Sequence, residues 1–476
     1  MDFPAPNPVR RTIAISLVIL VVFVGASFLY SQADQPSPAG AAIASPSDPA
    51  PPTTSVLKVD SGDTSWLLIS AALVLLMTPA LAFFYGGLVR KKNILSVLMQ
   101  CMMILCIISL QWAFFGYSLA FSGNWHGLVG DLKWLGLHGV GMEPVSLAPT
   151  VPHSAFMIFQ MMFAVITPAL IIGAFAERMR FGPFCLFSVL WATLVYDPVA
   201  HWVWGPGGFL GAVADTAGNK GWGALDFAGG IVVHINAGTA ALAAALVLGR
   251  RKGFPTKISP PHNLPLAVLG AGLLWFGWFG FNAGSALAAN GTAASAFVAT
   301  HLAATAAGLV WSLLDWFKHG KATTLGMITG AVAGLAAVTP AAGFVNPMGA
   351  IILGLAAGAI CWICVTFIKI KFGYDDSLDA FGVHGVGGMF GALATGLLAT
   401  REITGPQGAR GLFYGDTAQF VVQLKAVAIT AVYSFCASFV LLKLIDKIVG
   451  LRVEEQQERV GLDLTQHSEA AYTVID

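Results

Sequence analysis

The sequence predicts an all-α polytopic membrane protein, with about eleven transmembrane helices in two inverted five-helix repeats plus a long final helix. The first observation is compositional: of 476 residues, 56% are hydrophobic and only 10% charged, with a mean hydropathy of +0.75. A soluble chain carries about 25% charged residues, so this one cannot coat the several water-facing cores its length would otherwise imply. The second is a series of uncharged or nearly uncharged stretches close to the roughly 20 residues a spanning helix needs. The third is that lysine and arginine fall in alternate loops between those stretches.

In chain order the expected spans are Trp66–Val89, Ile94–Ser122, Pro152–Ala176, Pro183–Val203, Phe227–Gly249, Leu264–Leu287, Thr292–Leu314, Thr323–Pro340, Pro347–Ile368, Ala380–Thr400 and Ala418–Leu442. Basic residues follow the odd-numbered spans: Arg90, Lys91 and Lys92; Arg178 and Arg180; Arg250, Arg251, Lys252 and Lys257; Lys318 and Lys321; Lys369 and Lys371; Lys443, Lys447, Arg452 and Arg459. The other loops hold Lys58, Lys133, Lys220, Arg401 and Arg410, so the count is seventeen against five. Because cytoplasmic loops retain Lys and Arg, the first span is expected to start outside and the C-terminus to lie inside, in a cytoplasmic (inner) membrane.

The division expected is a signal peptide at 1–33, a flexible extracytoplasmic linker at 34–65, a transmembrane domain at 66–449 and a cytoplasmic tail at 450–476. Arg10 and Arg11 precede the apolar run Ile13–Tyr30 and the small-residue site ending at Ala33, the pattern of a cleaved secretory signal; the length of the run also fits an uncleaved anchor. Residues Asp34–Thr54, rich in Pro, Ala and Ser, have no core of their own.

A net charge of +1 supplies no basic field for nucleic acid. All six cysteines lie in apolar runs; Cys361 and Cys364 form C-x-x-C without a nearby histidine pair, which reads as packing, with no metal site. There is no P-loop, no H-E-x-x-H and no cofactor motif, so hydrolytic enzymes are excluded from the reading.

Ionisable residues inside spans are costly and point to function. In the fifth span His234 follows Asp226 by eight residues, about 12 Å along a helix and near mid-membrane. In the tenth, His384 follows Asp379 by five. Two sets of five spans must cross in opposite senses, and inverted repeats of this kind put a pathway at their interface, so the two histidines are expected to face each other along a central pore. Asp226 and Asp379 each precede an apolar helix, where helix capping competes with ligand contact as their role. Trp125, Trp202, Trp204 and Trp222 fall near the outer boundary, where an aromatic belt is the ordinary expectation.

A dry apolar path rejects bare cations and admits neutral molecules. Imidazoles can donate and accept together, and aromatic faces can hold a cation by about 1–2 kcal/mol until it loses a proton. The cargo is thereby narrowed to something small that exists as cation and neutral base, which ammonium and methylammonium both satisfy.

The runs Phe83–Leu88, Ala224–Gly230, Val233–Asn236, Gly277–Ser285 and Phe381–Val386 resemble the ammonium transporter (Amt/Rh) family, its bacterial Amt branch in particular, over about residues 60–475. The resemblance implies a homotrimer with one pore per subunit. It further implies an outer ammonium-recruiting site at Trp204, Phe163 and Ser285 supported by Asp226, a phenylalanine gate at Phe163 and Phe281, twin histidines at His234 and His384, and a pore-lining Trp278, with Gln160 beside Phe159. The tail Gly450–Asp463 is similar to the family tail that cooperates with a PII-type signal protein. Ammonium transport is the expected function; a sensor signalling through its tail, or a neutral-gas channel for ammonia or carbon dioxide, are the alternatives.

Overall fold

A computed structural model describes residues 57–256 and 260–472. The expected signal peptide and the linker up to residue 56 lie outside the described residues. Among the described residues ten helices are long and apolar enough to cross a membrane: Ser61–Leu88 (α1), Ile94–Phe121 (α2), His153–Phe175 (α3), Phe181–Trp204 (α4), Gly230–Leu248 (α5), Leu264–Gly284 (α6), Gly291–His319 (α7), Pro347–Phe372 (α9), Phe381–Leu398 (α10) and Thr417–Val449 (α11). Thr324–Val338 (α8) is a shorter apolar helix that completes the series. The fold is all-α as the sequence predicts.

Polar caps set where many helices begin. Asp60 accepts the N–H of Asp63 and starts α1 at Ser61, five residues before the expected Trp66, so the last residues assigned to the linker are helical. Lys58 and Asp60 donate their backbone N–H groups to Pro149 and Thr150, fastening this end to the segment before α3. Asn263, Asn290, Thr323, Asn346 and Asp416 cap α6, α7, α8, α9 and α11 in the same way.

The repeats share local irregularities. Both α4 and α9 contain a π turn, at Ala192–Tyr196 and Cys364–Ile368, while α5 and α10 each open on one, Gly230–Ile235 and Phe381–Gly385, that carries a histidine. Single π turns inside helices commonly mark functional positions. The openings of α5 and α10 cross through two small residues placed alike, four positions after each histidine. A Cβ on Gly238 would stand 2.2 Å from the backbone N of Gly385, and one on Gly388 2.8 Å from the Cβ of His234. Only glycine lets the two histidine turns approach this closely.

The loops after α1, α3, α5 and α9 gather on one face, here called the basic face. Glu177, at a positive φ of 75°, is the hub. Its carboxylate accepts from the backbone and side chain of Arg90, from Asn93 and from Arg251, which also pairs with Asp375 at 2.9 Å. Arg178, fully buried, donates to the carbonyl of Asp375 and to the Ser377 hydroxyl.

The tail is folded against this face. Arg452 donates to the carbonyls of Leu248 and Arg250 and to Glu458. Two short helices follow, Glu455–Val460 (α12) and Leu462–His467 (α13). Asp463 accepts the N–H of Ser96 in the first turn of α2, and Asn93 accepts the N–H of Leu462.

Candidate functional site

The residues singled out by sequence form one continuous column through the centre of the fold. At the end away from the basic face, Trp204 ends α4 and donates its indole N–H to the carbonyl oxygen of Asp226 at 2.9 Å. Ser285, just past α6, turns its hydroxyl back to the Phe281 carbonyl at 2.9 Å. Phe163 meets Trp204 edge-on at 5.9 Å and lies 4.3 Å from Phe281, centroid to centroid. Both phenyl rings are buried, each 1% exposed.

Beyond them stand the histidines. His234 is stacked near-parallel with Phe281 at 6.1 Å, with Trp278 at 5.5 Å and with His384 at 5.2 Å. Trp278 is held in place by donation to the Thr339 hydroxyl, which in turn donates to the Leu335 carbonyl. The cavity beside the imidazoles is lined by Met77, Leu81, Ile166, Leu170, Val233, Leu274 and Val332 together with His234, Trp278, Phe281 and His384. Its volume of about 10 Å³ is room for roughly one water-sized molecule. Both ring nitrogens of His234 and the Nδ1 of His384 are buried without a hydrogen-bond partner in the protein. Buried polar atoms of this kind are normally satisfied, so these are free to meet a guest. A neutral imidazole pair in an apolar chamber can exchange hydrogen bonds with a small polar molecule and offers no countercharge to a bare cation.

Asp226 caps the opening of α5. Its carboxylate accepts four backbone N–H groups, from Gly229 (3.0 Å), Gly230 (2.6 Å), Ile231 (2.8 Å) and Val232 (3.0 Å). The chain turns into α5 through Gly229 at φ 112°, a left-handed conformation that suits glycine. A Cβ there would meet the Val233 side chain at 2.6 Å. With the helix opening fixed this way, His234 is delivered to the column.

Asp379 does not play the matching part in the second repeat. The residue that caps α10 is Asp376, whose carboxylate accepts the N–H groups of Ala380 (3.1 Å) and Phe381 (2.7 Å). Asp379, at φ 62°, instead pairs with Lys369 at 2.5 Å. Asp376 stands eight residues before His384, as Asp226 stands eight before His234, and that equal spacing was the signal available in the sequence. Thr339, distant in sequence and ordinary in composition, carried no such signal.

Gln160 is buried in α3 one turn before Phe163, and its amide oxygen has no partner. The four boundary tryptophans divide: Trp125 and Trp222 are 61% and 48% exposed, as a belt requires, whereas Trp202 is buried and donates to the Leu128 carbonyl. Trp204 belongs to the column. Cys361 and Cys364 are buried free thiols, consistent with packing.

Comparison with known proteins agrees with this architecture. The profile of the Ammonium Transporter Family matches residues 65–472. The chain is 53% identical to the ammonium transporter of Bacillus subtilis, over 86% of this chain and 98% of that protein. Among solved structures, Candida albicans Mep2 superposes with a TM-score of 0.77 at 37% identity, over 87% of this chain and 90% of that one. A structure described as a sensor Amt protein gives a TM-score of 0.76 at 29% identity, over 85% and 98% of the two chains. With the family profile spanning the whole helical bundle and a relative more than half identical, this chain belongs to the Ammonium Transporter Family.

Proposed function

We propose that the protein carries ammonium across the cytoplasmic membrane, from the face bearing Trp204 to the basic face. In this reading Trp204, Phe163 and Ser285 hold the cation at the outer mouth while Asp226 supports the site from behind. The cation deprotonates there, and ammonia passes Phe163 and Phe281 into the chamber of His234, His384 and Trp278. Gln160 borders the approach. The observation that carries this is the pair of stacked imidazoles with unbonded nitrogens in an apolar chamber, closed from outside by two packed phenyl rings.

The seventeen-to-five distribution of basic residues supports a cytoplasmic basic face with the start of α1 outside. An N-terminal signal, cleaved after Ala33, would deliver that start to the outer side. Assembly as a homotrimer is what the family resemblance implies; self-association is supported by His301, an exposed ionisable residue midway along α7, which a second copy would shield from lipid. The tail, docked on three loops of the basic face, offers a surface for a PII-type signal protein that would close the inner mouth.

The test is flux into liposomes containing the full-length protein, followed by an internal pH dye and by charge displacement, with ammonium, methylammonium and potassium pulses at equal ionic strength. Ammonium flux without potassium flux is expected, and His234→Ala/His384→Ala should abolish it. Unchanged flux in that double variant would overturn the pathway. A sensing role gains from the tail's contacts and from the sensor among the similar structures. It would be favoured if ammonium altered tail protection while flux was absent.

A further inference from the structure

The second and fourth helices of each repeat are joined through a buried aspartate, and the two aspartates are served differently. In the second repeat Asp315 of α7 accepts from the Trp362 indole of α9 at 2.8 Å and from the Thr323 hydroxyl. In the first, Asp197 of α4 accepts from the side-chain amide of Gln111 in α2 at 2.7 Å, the single hydrogen bond its carboxyl receives among the described residues. Its other oxygen, Oδ1, has no partner, and neither has Gln111 Oε1. Unlike Asp226 and Asp376, Asp197 caps no helix. It lies within α4 directly after the π turn Ala192–Tyr196, and Gln111 stands directly before the π turn Trp112–Gly116 of α2.

The pair is sealed inside the bundle. Asp197 is 0% and Gln111 4% exposed, and Asp197 stands seven residues, about 10 Å, inside the Trp204 end of its span. Aromatic rings wall it in: Tyr196 lies 6.1 Å from Trp112 and 6.5 Å from Trp191. A Cβ on Gly116 would stand 2.8 Å from both terminal atoms of the Gln111 amide, so glycine there leaves the amide its place. No ion pair reaches Asp197 among the described residues. Other titratable groups on the surrounding helices have partners of their own. Tyr117 of α2 is bonded to His153 of α3, Tyr433 of α11 donates to the Leu194 carbonyl, and His201, one turn along α4, donates from Nδ1 to the Ala120 carbonyl.

We infer that Asp197 and Gln111 form a proton-binding site between α2 and α4, in which Asp197 is held as the neutral acid and donates through Oδ1 to Gln111 Oε1 while the amide N–H bonds Oδ2. An ionised carboxylate in this place would keep one oxygen bare and its charge unopposed inside a span, which is strongly disfavoured. A proton removes the charge and supplies the donor that both orphaned oxygens lack. Acid and primary amide are complementary, each with a hydrogen to give and an oxygen to accept. The inference goes beyond the transport reading and does not depend on it, since flux does not enter the test.

The experiment is infrared absorption of the full-length protein at about pH 8, in a detergent free of ester groups, read where the carbonyl of a protonated carboxylic acid absorbs. An exposed aspartate, which ionises at about pH 4, is silent there. Wild-type protein should show an acid carbonyl band, and Asp197→Asn, whose amide has the shape of the neutral acid, should lose it. Gln111→Leu withdraws the N–H from Oδ2 and should move the band to higher frequency without removing it. Absence of an acid band from folded wild-type protein would overturn the inference without recourse to any variant. A band of equal size in Asp197→Asn would overturn it by placing the proton elsewhere. Should Asp197→Asn not fold, Gln111→Leu decides, and an unmoved band there would overturn the inference as well.

Discussion

Asp226 and Asp376 occupy equivalent positions in the two repeats, each eight residues before a histidine of the column and each accepting the first backbone N–H groups of that histidine's helix. The relationship ties the depth of both imidazoles to a carboxylate outside the chamber. A helix start leaves four N–H groups without intrahelical partners, and Asp226 satisfies four by itself.

Replacing Asp226 therefore acts on stability before it acts on binding. Asp226→Ala leaves four buried donors unmet and should cost about 2–4 kcal/mol, with flux lost at least in proportion. Asp226→Asn keeps one acceptor oxygen and should cost about half as much. Thermal midpoints in detergent and ammonium flux check the order; an Ala variant as stable as wild type would refute the capping account.

The glycine crossing makes a ranked prediction. Gly238→Ala places a Cβ 2.2 Å from the backbone of Gly385, which has no side chain to move aside, and should cost about 3 kcal/mol or more. Gly388→Ala meets the His234 Cβ at 2.8 Å and should be milder in stability, yet should still lower flux because it pushes on the imidazole itself. The measurement is the thermal midpoint of each variant beside its flux, and the reverse order of stability would count against this packing.

Phe163 and Phe281 pack against each other in the column, 4.3 Å between ring centroids. Phe281→Ala deletes a ring that touches Phe163, Trp278 and His234, opening space for water. Protein that is folded but no longer dry should pass a potassium current absent from the wild type. A variant with ammonium flux and full rejection of potassium would show that the rings are not the barrier.

The basic-face hub predicts a pH dependence. Burial raises the Glu177 carboxyl pKa, but the hydrogen bond from Arg90 and the charges of Arg251 and Arg90 outweigh it, leaving the group below the ordinary carboxylate value. A depressed folded-state pKa contributes stability that is present above the unfolded value near 4 and is lost as pH falls through the folded value. Midpoints measured from pH 6 down to about 3 should fall on the acid side, and Glu177→Gln should be less stable at pH 6 with a flatter acid limb. An identical slope in both proteins would remove Glu177 from the acid transition.

The tail contact is testable by release. Asp463→Ala withdraws the cap from α2 at Ser96 and should cost about 1 kcal/mol. It should also expose Arg452–Tyr472 to limited proteolysis while the helical bundle stays intact.

The sequence by itself determined the membrane-spanning all-α class, the number of spans and the alternation of basic loops, and it drew attention to residues that the structure gathers in one column. Those features depend on local quantities: the length of an apolar run, the position of Lys and Arg, and unusual residues such as His234 and His384 set in apolar surroundings. Helix starts were legible less well, since Asp60 advances α1 to Ser61 through one hydrogen bond that periodicity does not record. The tertiary structure decided which aspartate serves the second repeat, where the sequence offered only the matching eight-residue spacing as a signal. It also decided that Thr339 orients Trp278, that Gly238 and Gly388 let the histidine turns cross, and that the polar tail folds back on the loops. The last three are contacts between segments far apart in the chain, set by where the packed helices put backbone N–H groups and ring edges, and no single segment carries that information.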